Sequence, residues 1–248
     1  MTKVKLFDYP LNFVSYQDIL ELIKKDILQK NQFCQIISLN PENLLLMKED
    51  QQFRKLVLSS QTLIADGVGI VLATKLLAGI TLSRLPGVEL MDKLLGYACE
   101  HRLRCLLIGG SANLAELTAN CYSKQYPKLK IKGLQVISNI KQPSKSELAA
   151  LKHIVSLIKP HLVFVAFGSP AQELWIEENK QLFKGCLVMG VGGGFAMLSG
   201  VLPRAPQFLQ RLGLEWLYRL LQEPWRIRRQ TKLFSFIGLV LKAKFKIK

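Results

Sequence analysis

A chain of 248 residues that is 49% hydrophobic can bury a substantial core, which excludes a disordered tail or a small disulfide-stapled scaffold. Its formal net charge is +16, and eleven Lys/Arg against two acidic residues fall between Arg204 and Lys248. No apolar run approaches the ~20 residues of a spanning helix, and Met1–Asp8 has no signal-peptide core; a cytoplasmic protein with a cationic C-terminal surface is expected.

Lys3–Phe7 reads as a short strand. Ser15–Lys30 places Ile19, Leu20, Leu22, Ile23 and Ile27 at helical spacing and predicts an amphipathic helix. Phe33–Leu39 is a strand, and Asn40-Pro41-Glu42 opens the next helix with an Asn cap and Pro at its first position. Thr62–Ala65 is a short strand ending in Asp66-Gly67-Val68-Gly69, from which a helix runs to about Ala78. A further helix follows Arg84-Leu85-Pro86-Gly87. Leu103–Ile108 is a strand closed by Gly109-Gly110-Ser111 and followed by a helix. Leu129–Val136 is another strand, and Ser144–Ile158 a helix with Ser144 and Glu147 at capping-box spacing.

Two continuous apolar runs, His161–Phe167 and Cys186–Gly190, are bounded by Gly or Pro as strands buried on both faces are. They lead into Gly168-Ser169-Pro170-Ala171-Gln172-Glu173 and Val191-Gly192-Gly193-Gly194. The alternation predicts an α/β fold, Rossmann-like, with a mostly parallel sheet and helices on both faces. In such sheets ligands sit beyond the carboxyl ends of the strands, where helix N-termini present N–H groups. After Pro206 the pattern is helical only, with Leu209, Leu212, Trp216, Leu217, Leu220 and Leu221 in register and Pro224 as a break or kink. Leu233–Leu241 is apolar and runs into Lys242, Lys244, Lys246 and Lys248; nine residues cannot span a bilayer, but an amphipathic basic segment can lie on one. The expected division is a catalytic domain over 1–201 and a membrane-associating helical appendage over 202–248.

The five cysteines (34, 99, 105, 121, 186) have no CxxC spacing and read as reduced thiols. Asp66 is the sharpest candidate for chemistry, because it stands where a buried strand meets a Gly-flanked turn; its other reading is an N-cap. None of the three histidines lies in a Gly-rich turn, so a carboxylate is the expected acid–base group. Asn40 reads as a ligand contact or as a cap, and Arg84 as a ligand contact or a solvated surface residue. Gln172 suits a uracil or a sugar hydroxyl, whereas Glu173 fits the helix dipole equally well. Gly192, Gly193 and Gly194 form either a phosphate or sugar platform or a close helix–strand contact. Arg219, Arg226 and Arg229 fall near one helical face, facing either a diphosphate or lipid. The sequence contains no Asp-x-Asp, no GxxxxGK[ST] and no intact GxGxxG, so a metal-held donor, a P-loop and a dinucleotide site are not expected.

Taken together, Ser38-Leu-Asn40-Pro41-Glu42, Ala65-Asp66-Gly67-Val-Gly69, Arg84-Leu-Pro-Gly87, Gly168-Ser-Pro-Ala-Gln172-Glu173-Leu-Trp175, Gly190-Val-Gly-Gly-Gly194, and Arg204-Ala-Pro206 with Leu214-Glu215-Trp216 resemble the WecG/TagA/CpsF glycosyltransferases (glycosyltransferase family 26) over roughly residues 5–230. The resemblance implies an inverting transferase; with the motif absences above, no metal and no cofactor are expected. It would move a sugar from a UDP-sugar to a polyprenyl-diphosphate-linked sugar at the inner face of the bacterial membrane. The sugar would be N-acetylmannosamine, its uronic acid or glucose, and the pathway teichoic acid, common antigen or exopolysaccharide synthesis. Carried onto this chain, it implies Asp66 as general base and Ser38 (where the family usually has Thr), Asn40, Arg84 and Gln172 as substrate contacts. It implies Arg219, Arg226 and Arg229 as appendage arginines reaching the diphosphate. Val88-Glu89 departs from the family's Asp-containing loop, and no role is carried to Glu89.

The implied partners are the donor, the lipid-linked acceptor and an anionic membrane surface, with no nucleic acid; apolar positions on the tail fit lipid or a second copy in a homo-oligomer. The rival reading from charge alone is a nucleic-acid-binding protein, against which stand the absence of a recognition motif and aromatics spaced as core. A nicotinamide-dependent oxidoreductase is the other, disfavoured by the broken glycine fingerprint.

Overall fold

The computed structural model describes residues 1–111, 113–206, 208–209, 215–222 and 227–245, apart from the side chains of residues 219 and 227–230. Strand β1 (Thr2–Leu6) pairs antiparallel with β2 (Tyr9–Phe13) across a turn in which Phe7 and Asp8 have φ of 48° and 66°. The sequence reading missed β2, whose Pro10 lacks a ladder N–H and hides the alternation that buries Leu11 and Phe13. Helix α1 (Tyr16–Leu22), held by a Ser15–Asp18 capping box, passes into π-helical turns over Ile23–Gln29, so the helix expected over 15–30 is wound in two ways.

Then follow β3 (Cys34–Leu39), α2 (Pro41–Glu49), α3 (Gln51–Ser59), β4 (Leu63–Ala65), α4 (Val68–Ala78) and α5 (Gly87–Glu100). They are succeeded by β5 (Arg104–Gly109), α6 (Leu114–Gln125), β6 (Lys130–Leu134), α7 (Lys145–Ile158), β7 (Leu162–Ala166), α8 (Ala171–Glu178), β8 (Leu187–Gly190) and α9 (Gly194–Leu198). The helical tail consists of α10 (Glu215–Gln222) and α11 (Ile227–Phe245). The eight strands run in the order β1-β2-β4-β3-β8-β7-β5-β6. The pairs β3–β8, β8–β7, β7–β5 and β5–β6 are parallel, giving the expected α/β architecture.

The chain divides into two compact units. One comprises Val14–Ile37 and Gly87–Leu202. Its centre is β7, every residue of which is buried, with Val163 and Val165 against Trp175, Ile176 and Phe183. Fully burying one such side chain is worth about 1.5–3 kcal/mol, which is why an unbroken apolar run settles here and not at an edge. Cys105 and Cys186 are buried free thiols, the latter pushed up to about 12 by burial.

The other unit comprises Met1–Phe13, Ser38–Pro86 and Pro203–Lys248, so the tail groups with β1, β2 and β4. Helix α11 packs against α2 and α4 through Phe236 and Val240, four residues apart and both buried. The Phe236 ring meets Phe7 edge-on at 6.2 Å, and Lys244 Nζ donates to the Leu76 carbonyl at 3.2 Å. Its exposed apolar residues, Phe234, Ile237, Leu241 and Phe245, recur at intervals of three and four and form a separate stripe.

Candidate active site

Asp66 follows directly on the three buried residues of β4. Gly67 has φ 91° and ψ 156°, a conformation that costs an L-residue dearly, so the chain can turn there and start α4 at Val68. Gly67 is the N-cap of α4, which places Asp66 one residue ahead of the helix. The Asp66 N–H donates to the Leu39 carbonyl at 3.0 Å, tying it to the end of β3. On its other flank, Ala65 forms a parallel bridge with Arg84, and the Leu85 N–H donates to the Ala65 carbonyl at 2.9 Å. Backbone bonds thus draw Ser38–Asn40, Asp66 and Arg84 into one cluster. Asp66, Asn40 and Arg84 are half-buried, within reach of solvent, while Ser38 is buried.

Asn40 caps α2: its Oδ1 accepts from the Asn43 N–H at 2.8 Å, as the Asn-Pro spacing predicted. Asn43, which the sequence reading passed over, donates from Nδ2 to the Ser38 carbonyl at 2.8 Å and fixes that residue. The Ser38 hydroxyl is buried with no hydrogen-bond partner among the described residues, a costly state that a ligand hydroxyl would relieve. A Cβ on Gly69 would lie 2.7 Å from Pro41 Cγ, so its absence lets the first turns of α2 and α4 approach beside this cluster.

The glycine turns after β7 and β8 are joined by a single side chain. Gln172 is 4% exposed, and its Oε1 accepts from the Gly168 N–H at 3.0 Å and from the Gly192 N–H at 3.1 Å. Its Nε2 donates to Glu173 Oε1 at 2.7 Å. The substrate contact expected of Gln172 is therefore not what its geometry offers: both lone pairs of Oε1 are filled by backbone donors. Gly192, with its N–H committed, offers open space instead, since a Cβ there would meet nothing within 4 Å. Glu173 is 1% exposed, and burial raises its carboxyl above the ordinary range, only partly offset by hydrogen bonds from Gln172 and Ser169. Gln35 Nε2 donates to the Glu173 carbonyl at 2.9 Å. Gln35 was legible as the lone amide in the apolar run of β3, where a buried polar group must find a partner.

A family model described as the glycosyl transferase WecG/TagA/CpsF family matches residues 4–248. The chain belongs to this family. It is a glycosyltransferase, and curated relatives bear the same class of name. An N-acetylglucosaminyldiphosphoundecaprenol N-acetyl-beta-D-mannosaminyltransferase of Bacillus subtilis (strain 168) is 30% identical over 93% of this chain and 87% of its own length. Proteins with that name from Staphylococcus aureus strains MW2 and NCTC 8325 are each 31% identical over 86% of this chain and 82% of theirs.

Of the appendage arginines expected of the glycosyltransferase, Arg226 lies outside the described residues. Arg219 and Arg229 fall on α10 and α11, but their side chains lie outside them too. Among the described residues, no three His, Cys, Asp or Glu side chains gather as a metal site, and no helix is long and apolar enough to cross a membrane.

Proposed function

We propose that this glycosyltransferase moves an N-acetylmannosamine-type sugar from a UDP-sugar to a polyprenyl-diphosphate-linked N-acetylglucosamine, with inversion and without a metal. The observation that carries the reading is Asp66: a half-buried carboxylate at the strand-to-helix turn, bracketed by backbone bonds to Leu39 and the Arg84 loop. A β-linked product, the kind named for the relatives, forms from an α-linked donor by one displacement. That step needs one base and no covalent intermediate. Asp66 takes the proton from the acceptor hydroxyl as its oxygen attacks the anomeric carbon, the anomeric carbon–oxygen bond breaks, and UDP leaves with the electron pair. Ser38, Asn40 and Arg84 contact the sugars, and the glycine turns with the tail arginines offset the diphosphate charge. The acceptor and the donor are tested together by following UDP release from a panel of UDP-sugars, with and without a polyprenyl-diphosphate-N-acetylglucosamine analogue and with a chelator present. Release that ignores the acceptor, or that stops with the chelator, rejects the respective part.

The lipid on the acceptor calls for a membrane-facing surface, and the exposed stripe of Phe234, Ile237, Leu241 and Phe245 with Lys242 and Lys244 alongside supplies one. Each Lys/Arg near an anionic leaflet is worth ~1 kcal/mol, so peripheral, salt-sensitive attachment follows. Phe234→Glu with Leu241→Glu should abolish sedimentation with anionic vesicles while leaving the fold intact; unchanged sedimentation removes this role from α11.

A further inference from the structure

We propose that Glu173, acting through Gln172, is a positioning residue that fixes the two glycine turns in the conformation that receives the donor's diphosphate. The inference rests on the donor reading above for what the turns receive, but the clamp itself is a matter of geometry.

The turn after β7 begins at Gly168 and the turn after β8 passes through Gly192, with φ of 85° and 49°. Glycines at such angles sample many conformations when nothing holds them. One oxygen, Gln172 Oε1, accepts from both N–H groups, so neither turn can move without breaking a bond shared with the other. An amide that accepts in this way must keep its oxygen toward the turns and not flip. Glu173 sets that orientation, because its Oε1 accepts from Gln172 Nε2 at 2.7 Å. The space is tailored to the same end: a Cβ on Gly190 would stand 2.4 Å from Gln172 Nε2, so only glycine lets the amide lie against the end of β8. Gln35 on β3 holds the Glu173 backbone from a third strand.

What Gln172 needs from Glu173 is an acceptor oxygen, and burial favours the neutral acid in that role. Its Oε2 is buried with no hydrogen-bond partner among the described residues, and the hydrogen bonds from Gln172 and Ser169 would offset a full charge only in part. A neutral isostere should therefore serve as well as the native residue, which a role for a charged carboxylate does not allow.

The test uses the full chain and the variants Glu173→Gln, Glu173→Met and Gln172→Leu. Backbone amide exchange at Gly168 and Gly192 is measured by NMR without ligand, with Leu106 and Val163 as internal references. Glu173→Met and Gln172→Leu should speed exchange at both glycines about tenfold or more, as expected for losing a buried hydrogen bond, with the references unchanged. They should also raise KM for the UDP-sugar more than they lower kcat. Glu173→Gln should match the native protein in both respects. The proposal is overturned if Glu173→Gln is as impaired as Glu173→Met, or if Gln172→Leu leaves both glycines protected. Should Glu173→Met not fold, Gly190→Ala presses on the same amide and gives the same readout. Exchange that follows the expectation in a protein that turns over no UDP-sugar keeps the clamp and overturns only the donor.

Discussion

The strand-end cluster around Asp66 and the one around Gln172 are made of similar parts, a buried strand, a glycine turn and a helix start, yet they dispose of their polar groups in opposite ways. Around Asp66 the backbone does most of the holding, helped by the Asn40 cap and the Asn43 amide: the Asp66 N–H on Leu39 and the Leu85 N–H on Ala65 fix the positions, and Asp66, Asn40 and Arg84 stay half-exposed. Around Gln172 the side chains do the holding, buried and spent on backbone N–H groups and on each other. A group that meets substrate must keep a path to solvent, which the first cluster has and the buried Gln172–Glu173 pair lacks. The contrast therefore separates chemistry from scaffolding more sharply than the motifs do, since both clusters are equally conspicuous in the sequence.

The largest expected effect breaks the first cluster at its centre. Asp66→Asn keeps the shape and every backbone bond but removes the base, and positioned general-base catalysis contributes ~10²–10⁴-fold. We expect kcat to fall by that order, with the melting temperature and UDP-sugar binding nearly unchanged. Turnover near that of the native protein would strip Asp66 of the role and leave the cluster as a binding site only.

The second effect reverses that pattern. Gly190→Ala puts a methyl 2.4–2.8 Å from three atoms of the Gln172 side chain, which cannot retreat without dropping Gly168 and Gly192. Overpacking of this kind costs about 1–3 kcal/mol, so chemical denaturation should show the loss directly. A variant as stable as the native chain would mean that the Gln172 site is loose, and the contrast between the clusters would lose its basis.

How far these clusters could be foreseen differs for the same physical reason. Strands β3, β5, β7 and β8 announce themselves as apolar runs, and the caps at Asn40 and Ser144 follow from local spacing, because each is decided within a few residues. Asp66 was legible because a strand-to-glycine boundary fixes its address. The inward turn of Gln172 was not, since it depends on Gly192, twenty positions away in sequence. Strand β2 was hidden by Pro10, and the tight Phe7–Asp8 turn lacks the glycine that marks most such turns. The wide π-turns after Leu22 have no Pro or Gly to signal them.

The smallest effect calibrates both clusters with a polar network that is spent like the one at Gln172 but wholly at the surface. Glu147 Oε1 accepts from the Ser138 N–H and hydroxyl at 2.8 and 2.6 Å, and Oε2 from the Ser144 N–H and hydroxyl at 2.7 and 2.9 Å. These bonds favour the charged form and hold the carboxyl down at about 2, against an ordinary 4.5. A carboxyl whose folded pKa is depressed stabilises the fold above its unfolded value, and that contribution disappears as pH falls from 4.5 toward about 2. Glu147→Gln should therefore be less stable than the native chain at pH 7, with the gap closing steadily below pH ~5. Glu173 has the opposite sign: its raised pKa stabilises the fold while the acid is neutral and costs stability as rising pH forces ionisation. Denaturation curves across pH for Glu147→Gln and Glu173→Gln should thus both part from the native chain as pH rises, Glu147→Gln toward lower stability and Glu173→Gln toward higher. A Glu173→Gln variant that instead falls below the native chain as pH rises would mean that the charged form is the stabilised one in the folded protein, and Gln172 would then be oriented by a carboxylate instead of a neutral acid.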